Sequence, residues 1–161
     1  VSATADLPEL PITFRPRRTR VVLLSIGTAL LVVFAVIAVL LPGGSGSGSW
    51  NVADRLTFVG TGLLIFGVLV VLSRPKVMVD QAGVTVVNLT VKRRLEWAEL
   101  IRVNLRAGDP WVYLDLADGT TLAAMGIQTG AGKAQAIRDA RALRALAEVR
   151  GSAAEDPRGT D

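Results

Sequence analysis

The chain has no cysteine and no histidine. That excludes disulfides, thiol nucleophiles, thiolate or imidazole zinc sites and histidine general bases, and leaves any catalysis to Asp, Glu, Lys or Ser. A large excess of positive charge is missing too. The net charge is +4, from 18 basic and 14 acidic residues. Beyond residue 72 stand 13 of the basic and 11 of the acidic residues, an excess of only two. Nucleic-acid affinity rests on neutralising phosphates, so this balance argues against a dedicated nucleic-acid binder.

Long apolar runs are what the chain does have. Residues 21–41, VVLLSIGTALLVVFAVIAVLL, carry no charge. At about 1.5 Å per residue they span about 31 Å, the thickness of a hydrocarbon core. A helix apolar on every face for that length is a membrane span rather than a surface helix. A cleaved signal peptide would have an apolar region of about 7–15 residues followed by a small-x-small site. Here the run is longer and Leu40, Leu41 and Pro42 close it. Residues 56–72, LTFVGTGLLIFGVLVVL, form a second run at the short end of the spanning range, with Trp50 on one side and Arg74 and Lys76 on the other. Gly60 and Gly67 share a face of that helix, and Ser25 and Ala29 make a small-xxx-small pair on the first. Either set suits close helix packing, and equally the plain role of small residues in membrane helices. Residues 42–55 between the runs are Gly/Ser-rich and too short to fold alone.

Orientation follows the basic residues of short flanking segments. Arg15, Arg17, Arg18 and Arg20 precede the first run, Arg74 and Lys76 follow the second, and the loop between has only Arg55. Both termini are expected in the cytoplasm of a multi-pass cell-membrane protein. The resulting division is a basic cytoplasmic segment over 1–20, helices over 21–41 and 56–72, an external loop over 42–55, a folded domain over 73–150 and a disordered tail over 151–161.

After residue 75 the rhythm becomes short extended runs broken by turns. The pattern predicts strands near 76–80, 84–89, 91–97, 100–106, 111–116 and 120–125, the last two joined by the Asp118-Gly119 hairpin turn. Leu95 and Trp97 are expected on one face with Arg94 and Glu96 on the other, and Val112, Leu114 and Leu116 together on a buried face. A helix capped by Thr129 and ending at Gly151 would lay Ile137, Ala140, Leu143 and Leu146 or Ala147 on the sheet.

RPKVMVDQAGVTVVN, then RRLEWAEL, then GDPWVYLDLADGTTLAAMGIQ, then an Ala/Arg-rich helix, resembles a bacterial pleckstrin-homology-like domain. The stretch is similar to the actinobacterial family of low molecular weight protein antigen 6, whose members typically place two membrane helices before the domain. The likeness covers roughly Arg74 to Arg150, and its more distinctive parts are Trp97 to Glu99 and Gly108 to Trp111. It implies a membrane α-helical hairpin plus an α+β domain, a half-open antiparallel barrel capped by a C-terminal helix. It implies little chemistry, because a fold does not fix a function.

Several constellations have both a functional and a plain reading. Gly126 to Ala134 has glycines before a lysine, as a phosphate-binding loop does. Ile127 stands where the first glycine belongs, however, and Ala134 replaces the magnesium-binding hydroxyl. Lys92-Arg93-Arg94 is the densest basic run of the domain. It is a candidate for lipid headgroups, against the plain reading of a solvated strand end paired with Glu96 or Glu99. Asp109, Asp115 and Asp118 cluster in sequence, but turn chemistry already accounts for Asp118. Trp97 and Trp111 read as core or rim aromatics.

The expected function is therefore a two-span membrane protein displaying a cytoplasmic domain as a protein-interaction or scaffolding module. Its partners would be the lipid bilayer and either another protein or further copies of itself. The alternative is anionic-lipid sensing through Lys92, Arg93 and Arg94. No enzymatic activity, catalytic residue, metal, cofactor or nucleic-acid partner is expected.

Overall fold

A computed structural model of the chain describes residues 7–43 and 50–155. Residues 44–49 of the Gly/Ser-rich loop and 156–161 of the expected tail lie outside the described residues. The chain divides into two compact units, Thr19–Arg74 and the combination of Val1–Arg18 with Pro75–Asp161.

The first unit is a helical hairpin of α1 (Arg17–Leu40) and α2 (Val52–Leu72), both long and apolar enough to cross a membrane. Within them only Gly27, Ala38 and Gly62 are buried, so most of their aliphatic side chains are exposed or half-exposed, unlike those of a core helix of a soluble protein. α2 is longer than the apolar run because Asn51 and Asp54 form a reciprocal cap. The Asp54 N–H donates to Asn51 Oδ1 at 3.0 Å and the Asn51 N–H to Asp54 Oδ2 at 2.9 Å. The hydroxyls of Thr57 and Thr61 donate to the carbonyls of Ala53 and Thr57, so neither is left unpaired on an apolar helix. The helices meet at Gly27, beside Phe66 and Leu69, and at Gly62, beside Phe34 and Leu31. The glycines singled out by spacing, Gly60 and Gly67, have nothing within 4 Å of where a Cβ would stand, and Ser25 and Ala29 are exposed. Spacing shows which residues share a face but not which face meets the partner helix.

The second unit holds seven strands and one helix. β1 (Ile12–Phe14), β2 (Lys76–Val79), β3 (Gly83–Val87) and β4 (Lys92–Glu96) form one antiparallel sheet in that order. β5 (Leu100–Asn104), β6 (Trp111–Leu116) and β7 (Thr121–Gln128) form the other, and α3 (Lys133–Glu155) packs on β5 and β7. The sheets do not close into a full barrel, which is the half-open architecture expected of this layout. Leu95, Trp97, Val112, Leu114 and Leu116 are all buried as their alternation required. Leu143 and Leu146 of α3 reach the same core.

β1 has no counterpart in the expected division, which left residues 1–20 as a separate segment. Thr13 pairs with Met78 and Phe14 with Val77, and Phe14 is buried in the core while Leu7, Leu10 and Ile12 pack against it. The helical hairpin is thus inserted in the connection between the first two strands of the sheet. A three-residue strand whose partner lies beyond both helices leaves no local pattern to read.

α3 also departs at both ends. Thr129 does not cap it. The Thr129 hydroxyl donates to the carbonyls of Asp109 and Pro110, in a short 3-10 turn, and α3 begins after Gly132. At the far end α3 continues through Gly151 to Glu155, so the expected stop and the start of a disordered tail at 151 are corrected. Gly151 keeps a negative φ, and the two alanines that follow favour continuation.

Two close contacts at β7 help join the sheets. A Cβ on Gly126 of β7 would lie 2.5 Å from the carbonyl carbon of Lys76 and 2.6 Å from its Cα, so β7 crosses β2 backbone to backbone. Asn88, just past β3, donates to the Ala123 carbonyl at 2.8 Å and accepts from the Met125 N–H at 3.2 Å, taking the place of a strand residue beside β7. Gly126→Ala is expected to destabilise the domain by about 3 kcal/mol, the upper range for overpacking against a backbone that cannot retreat. Gly130→Ala, with nothing within 4 Å, should stay within about 0.5 kcal/mol. Urea unfolding of the detergent-solubilised full chain, followed by tryptophan fluorescence, measures both.

Candidate functional site

The basic run is split by the period of the strand that carries it. Lys92 and Arg94 lie on the outer face of the first sheet, while Arg93 shares the face of Leu95. Arg93 meets Asp118 of the β6–β7 turn at 3.2 Å, and Arg94 meets Asp80 of the β2–β3 turn at 3.2 Å. Both acids also build their turns. Asp80 accepts from the N–H groups of Ala82 and Gly83, and Asp118 from the N–H and hydroxyl of Thr120. The partners are therefore not Glu96 and Glu99. Glu99 instead accepts from the Glu96 N–H at 2.8 Å. Lys92 is exposed and, among the described residues, has no acidic partner. One full cation thus remains of the three, because each exposed ion pair removes much of a second charge's field.

The Thr120 bonds and the Arg93 guanidinium hold the Asp118 carboxyl below its ordinary value, the hydroxyl of Thr120 contributing most. The other two acids of the cluster stand apart from it. Asp109 accepts from the Arg106 N–H, and Asp115 accepts from Asn104 and Thr121 across the sheet. Among the described residues no three acidic groups converge as a metal site would require. Asp139 of α3 is pushed upward by burial, with Gln135 and Arg138 pulling the other way. Its hollow holds about 10 Å³, room for roughly one water, so the shift reflects packing rather than a place for a substrate.

A larger groove of about 390 Å³ runs between β5 and α3, lined by Ile101, Arg102, Asn104, Arg144 and Glu148 among others. Ile101 sits at an irregularity in the β5–β6 pairing and is 67% exposed. The guanidinium of Arg144 donates twice to the Val103 carbonyl, at 2.7 and 3.2 Å. An outward carbonyl of this edge strand is therefore already satisfied, so plain strand addition there is blunted and an apolar contact on Ile101 remains. The sequence held one sign of this. Leu100 and Ile101 are consecutive aliphatic residues in a strand of period two, so one must face away from the core. Arg144 had no such sign, since its acceptor lies far away in sequence. Trp97 is buried and donates to the Gln81 carbonyl at 3.1 Å, whereas the indole N–H of Trp111 is buried without an acceptor among the described residues.

The orientation residues fall at the strand and helix junctions. Arg15 follows β1, Arg17, Arg18 and Arg20 lie in the first turn of α1, Arg74 follows α2 and Lys76 opens β2. A family model for the bacterial PH domain matches residues 74–146. The chain is also 32% identical, over 149 residues, to the uncharacterised proteins Rv1417 of Mycobacterium tuberculosis and Mb1452 of Mycobacterium bovis, and the match covers 91% of this chain and 91% of each relative. The chain belongs to the bacterial PH domain family. No solved structure matches it. The family match begins at Arg74 and omits β1, yet the PH domain of this chain is completed by that strand from before the helices. The relatives match along both parts and share the overall plan in length.

Asp118 gives the PH domain a testable electrostatic signature. A carboxyl held low in the folded state stabilises it above the unfolded Asp pKa, and that contribution is lost as pH falls through the folded value. In a carboxyl-detected NMR titration the Asp118 midpoint should lie below that of an ordinary Asp. Thr120→Val should raise it more than Arg93→Gln does, because the Thr120 hydroxyl is the larger cause. The reverse order would mean that the ion pair dominates.

Proposed function

We propose that α1 and α2 both cross the cell membrane and that the PH domain stands on its cytoplasmic side as a protein-interaction module rather than an enzyme. The observation that carries this reading is the pairing of β1 with β2 across the inserted hairpin. Two strands of one sheet cannot lie on opposite sides of a bilayer, so the insertion must leave and return on the same face, which takes an even number of spans. The arginines at the ends of the hairpin support the cytoplasmic side. Arg55, the one basic residue of the loop, donates to the Leu41 carbonyl at 2.6 Å and so is tied to the end of α1. For the module itself, the support is the β5–α3 groove with its exposed Ile101, which fits an apolar side chain from a protein partner or a second copy. Anionic-lipid recognition by Lys92, Arg93 and Arg94 is the second reading, favoured only by the unpaired Lys92.

The native chain has no cysteine, so labelling is clean. Ser47→Cys should react with an impermeant thiol reagent in intact cells and Gln81→Cys should react only after permeabilisation. Reaction at both positions in intact cells would overturn the two-span reading, and the reverse pattern would invert it.

A photocrosslinking residue at Ile101 is expected to give a discrete adduct in native membranes, including an adduct of twice the chain mass if the partner is a second copy. The same residue at the exposed Thr121 should give none. Equal yields at the two sites would remove the groove from the interaction surface.

A further inference from the structure

Among the described residues, the β3–β4 connection is where the PH domain sets exposed aliphatic side chains beside unpaired lysines. The Asn88 N–H donates to the Val91 carbonyl at 2.9 Å, closing a tight turn through Leu89 and Thr90. Leu89 is 36% and Val91 55% exposed. The turn is not a loose loop, because the Asn88 side chain at its base is bonded to Ala123 and Met125 of β7. Lys76 and Lys92 flank it on one face of the sheet, each the register partner of Val87. Neither has an acidic partner among the described residues.

The same register says which end of the sheet this is. Phe14 pairs with Val77 next to Lys76, and from Phe14 the chain passes through Arg15 and Pro16 into α1. It returns from α2 through Ser73, Arg74 and Pro75 to Lys76. Three extended residues reach at most about 10 Å. The turn rises about as far beyond Val87, two to three residues at about 3.4 Å each. The apolar turn and both connections to the apolar helices therefore leave from one end of one sheet. The opposite end of this sheet carries Asp80 and Glu96 and, among the described residues of β1 to β4 and their turns, no exposed large aliphatic residue.

We propose that the β3–β4 turn is a lipid-docking element, Leu89 and Val91 entering the interface of the bilayer that holds the helices while Lys76 and Lys92 meet its anionic headgroups. The proposal rests on the reading above that α1 and α2 span a membrane. It differs from headgroup binding by the basic run, since Arg93 and Arg94 are already paired and the contribution comes from the aliphatic tip. Docking at this turn adds a third anchor to the two helices, which fixes how the domain faces the membrane and leaves the β5–α3 groove free.

The test uses the full chain in phosphatidylcholine vesicles containing a third phosphatidylglycerol, with nitroxide-labelled lipid as quencher. An environment-sensitive fluorophore is attached at a single cysteine, in turn at Leu63 of α2, at Thr90 of the turn and at Gln81 of the opposite end. The expected result is strong quenching at Leu63, clear quenching at Thr90 and none at Gln81. Adding Leu89→Ser with Val91→Ser should lower the ratio of docked to undocked Thr90 label about tenfold or more, by the loss of aliphatic burial. Lys76→Gln with Lys92→Gln should lower it in these vesicles but not in phosphatidylcholine alone. A quenched Leu63 with Thr90 as exposed as Gln81 overturns the docking turn and leaves the two-span reading standing. An unquenched Leu63 overturns both. Quenching at Thr90 that survives the paired serine substitutions also overturns the proposal, because the tip would then be near lipid without binding it.

Discussion

The pairing of Phe14 with Val77 is the constraint from which the rest of this molecule follows. It joins the residues on either side of the helical hairpin into neighbouring strands, which a sheet holds about 4.8 Å apart. The hairpin is therefore an insertion in a folded domain rather than an anchor placed before one. An anchor before a domain connects at one point and leaves it free to swivel. An insertion connects at two points, and here both connections leave from neighbouring strands of one sheet. The hairpin has its own means of keeping its ends together. Gly27 and Gly62 remove side chains where the helices meet, which lets their backbones approach.

The second sheet meets the first through one backbone-to-backbone contact and one side-chain bridge. Gly126 lies over Lys76 and Val77, immediately beside the strand residues that hold the insertion. Asn88 gives β7 the two hydrogen bonds that a neighbouring strand would otherwise supply. These close the half-open barrel on one side, while the 3-10 turn over Trp97–Glu99 carries the chain from one sheet to the other. Buried backbone groups must be paired, so an amide side chain at this seam lets two sheets meet without a continuous ladder.

What could be read from the sequence was whatever repeats locally. The apolar runs, the alternation of Val112, Leu114 and Leu116, and the Asp118-Gly119 turn all show within a window of a few residues, and all stand in the structure. What could not be read was set by distant partners. β1 is three residues long and its partner lies beyond two helices. Arg144 finds its acceptor on β5, and the acids that pair with Arg93 and Arg94 come from other turns. The run Lys92-Arg93-Arg94 is the plainest case. As a string it is one patch of three charges, but a strand sends alternate residues to opposite faces, and two of the three meet carboxylates that the string does not show. The helix stop at Gly151 failed for a different reason. A glycine costs only about 1 kcal/mol in a helix interior, which the alanine-rich flanks readily offset.

The size of β1 says something about the hairpin that neither shows alone. β1 contributes the buried Phe14 and the partly buried Ile12, a gain on the order of 2–4 kcal/mol with the strand pairing included. Closing a flexible loop as long as the insertion, residues 15–75, costs on the order of 4 kcal/mol, by the logarithmic dependence on length. With a flexible insertion the two terms nearly cancel, and β1 would be detached much of the time. A helical hairpin removes most of that cost, because α1 and α2 return the chain to its starting point before the strand pairs. A formed hairpin thus lowers the entropic cost of pairing the short strand. Losing it would uncover Val77 and Val79 on the edge of the sheet that Phe14 and Ile12 now cover, and leave β2 as an unprotected edge.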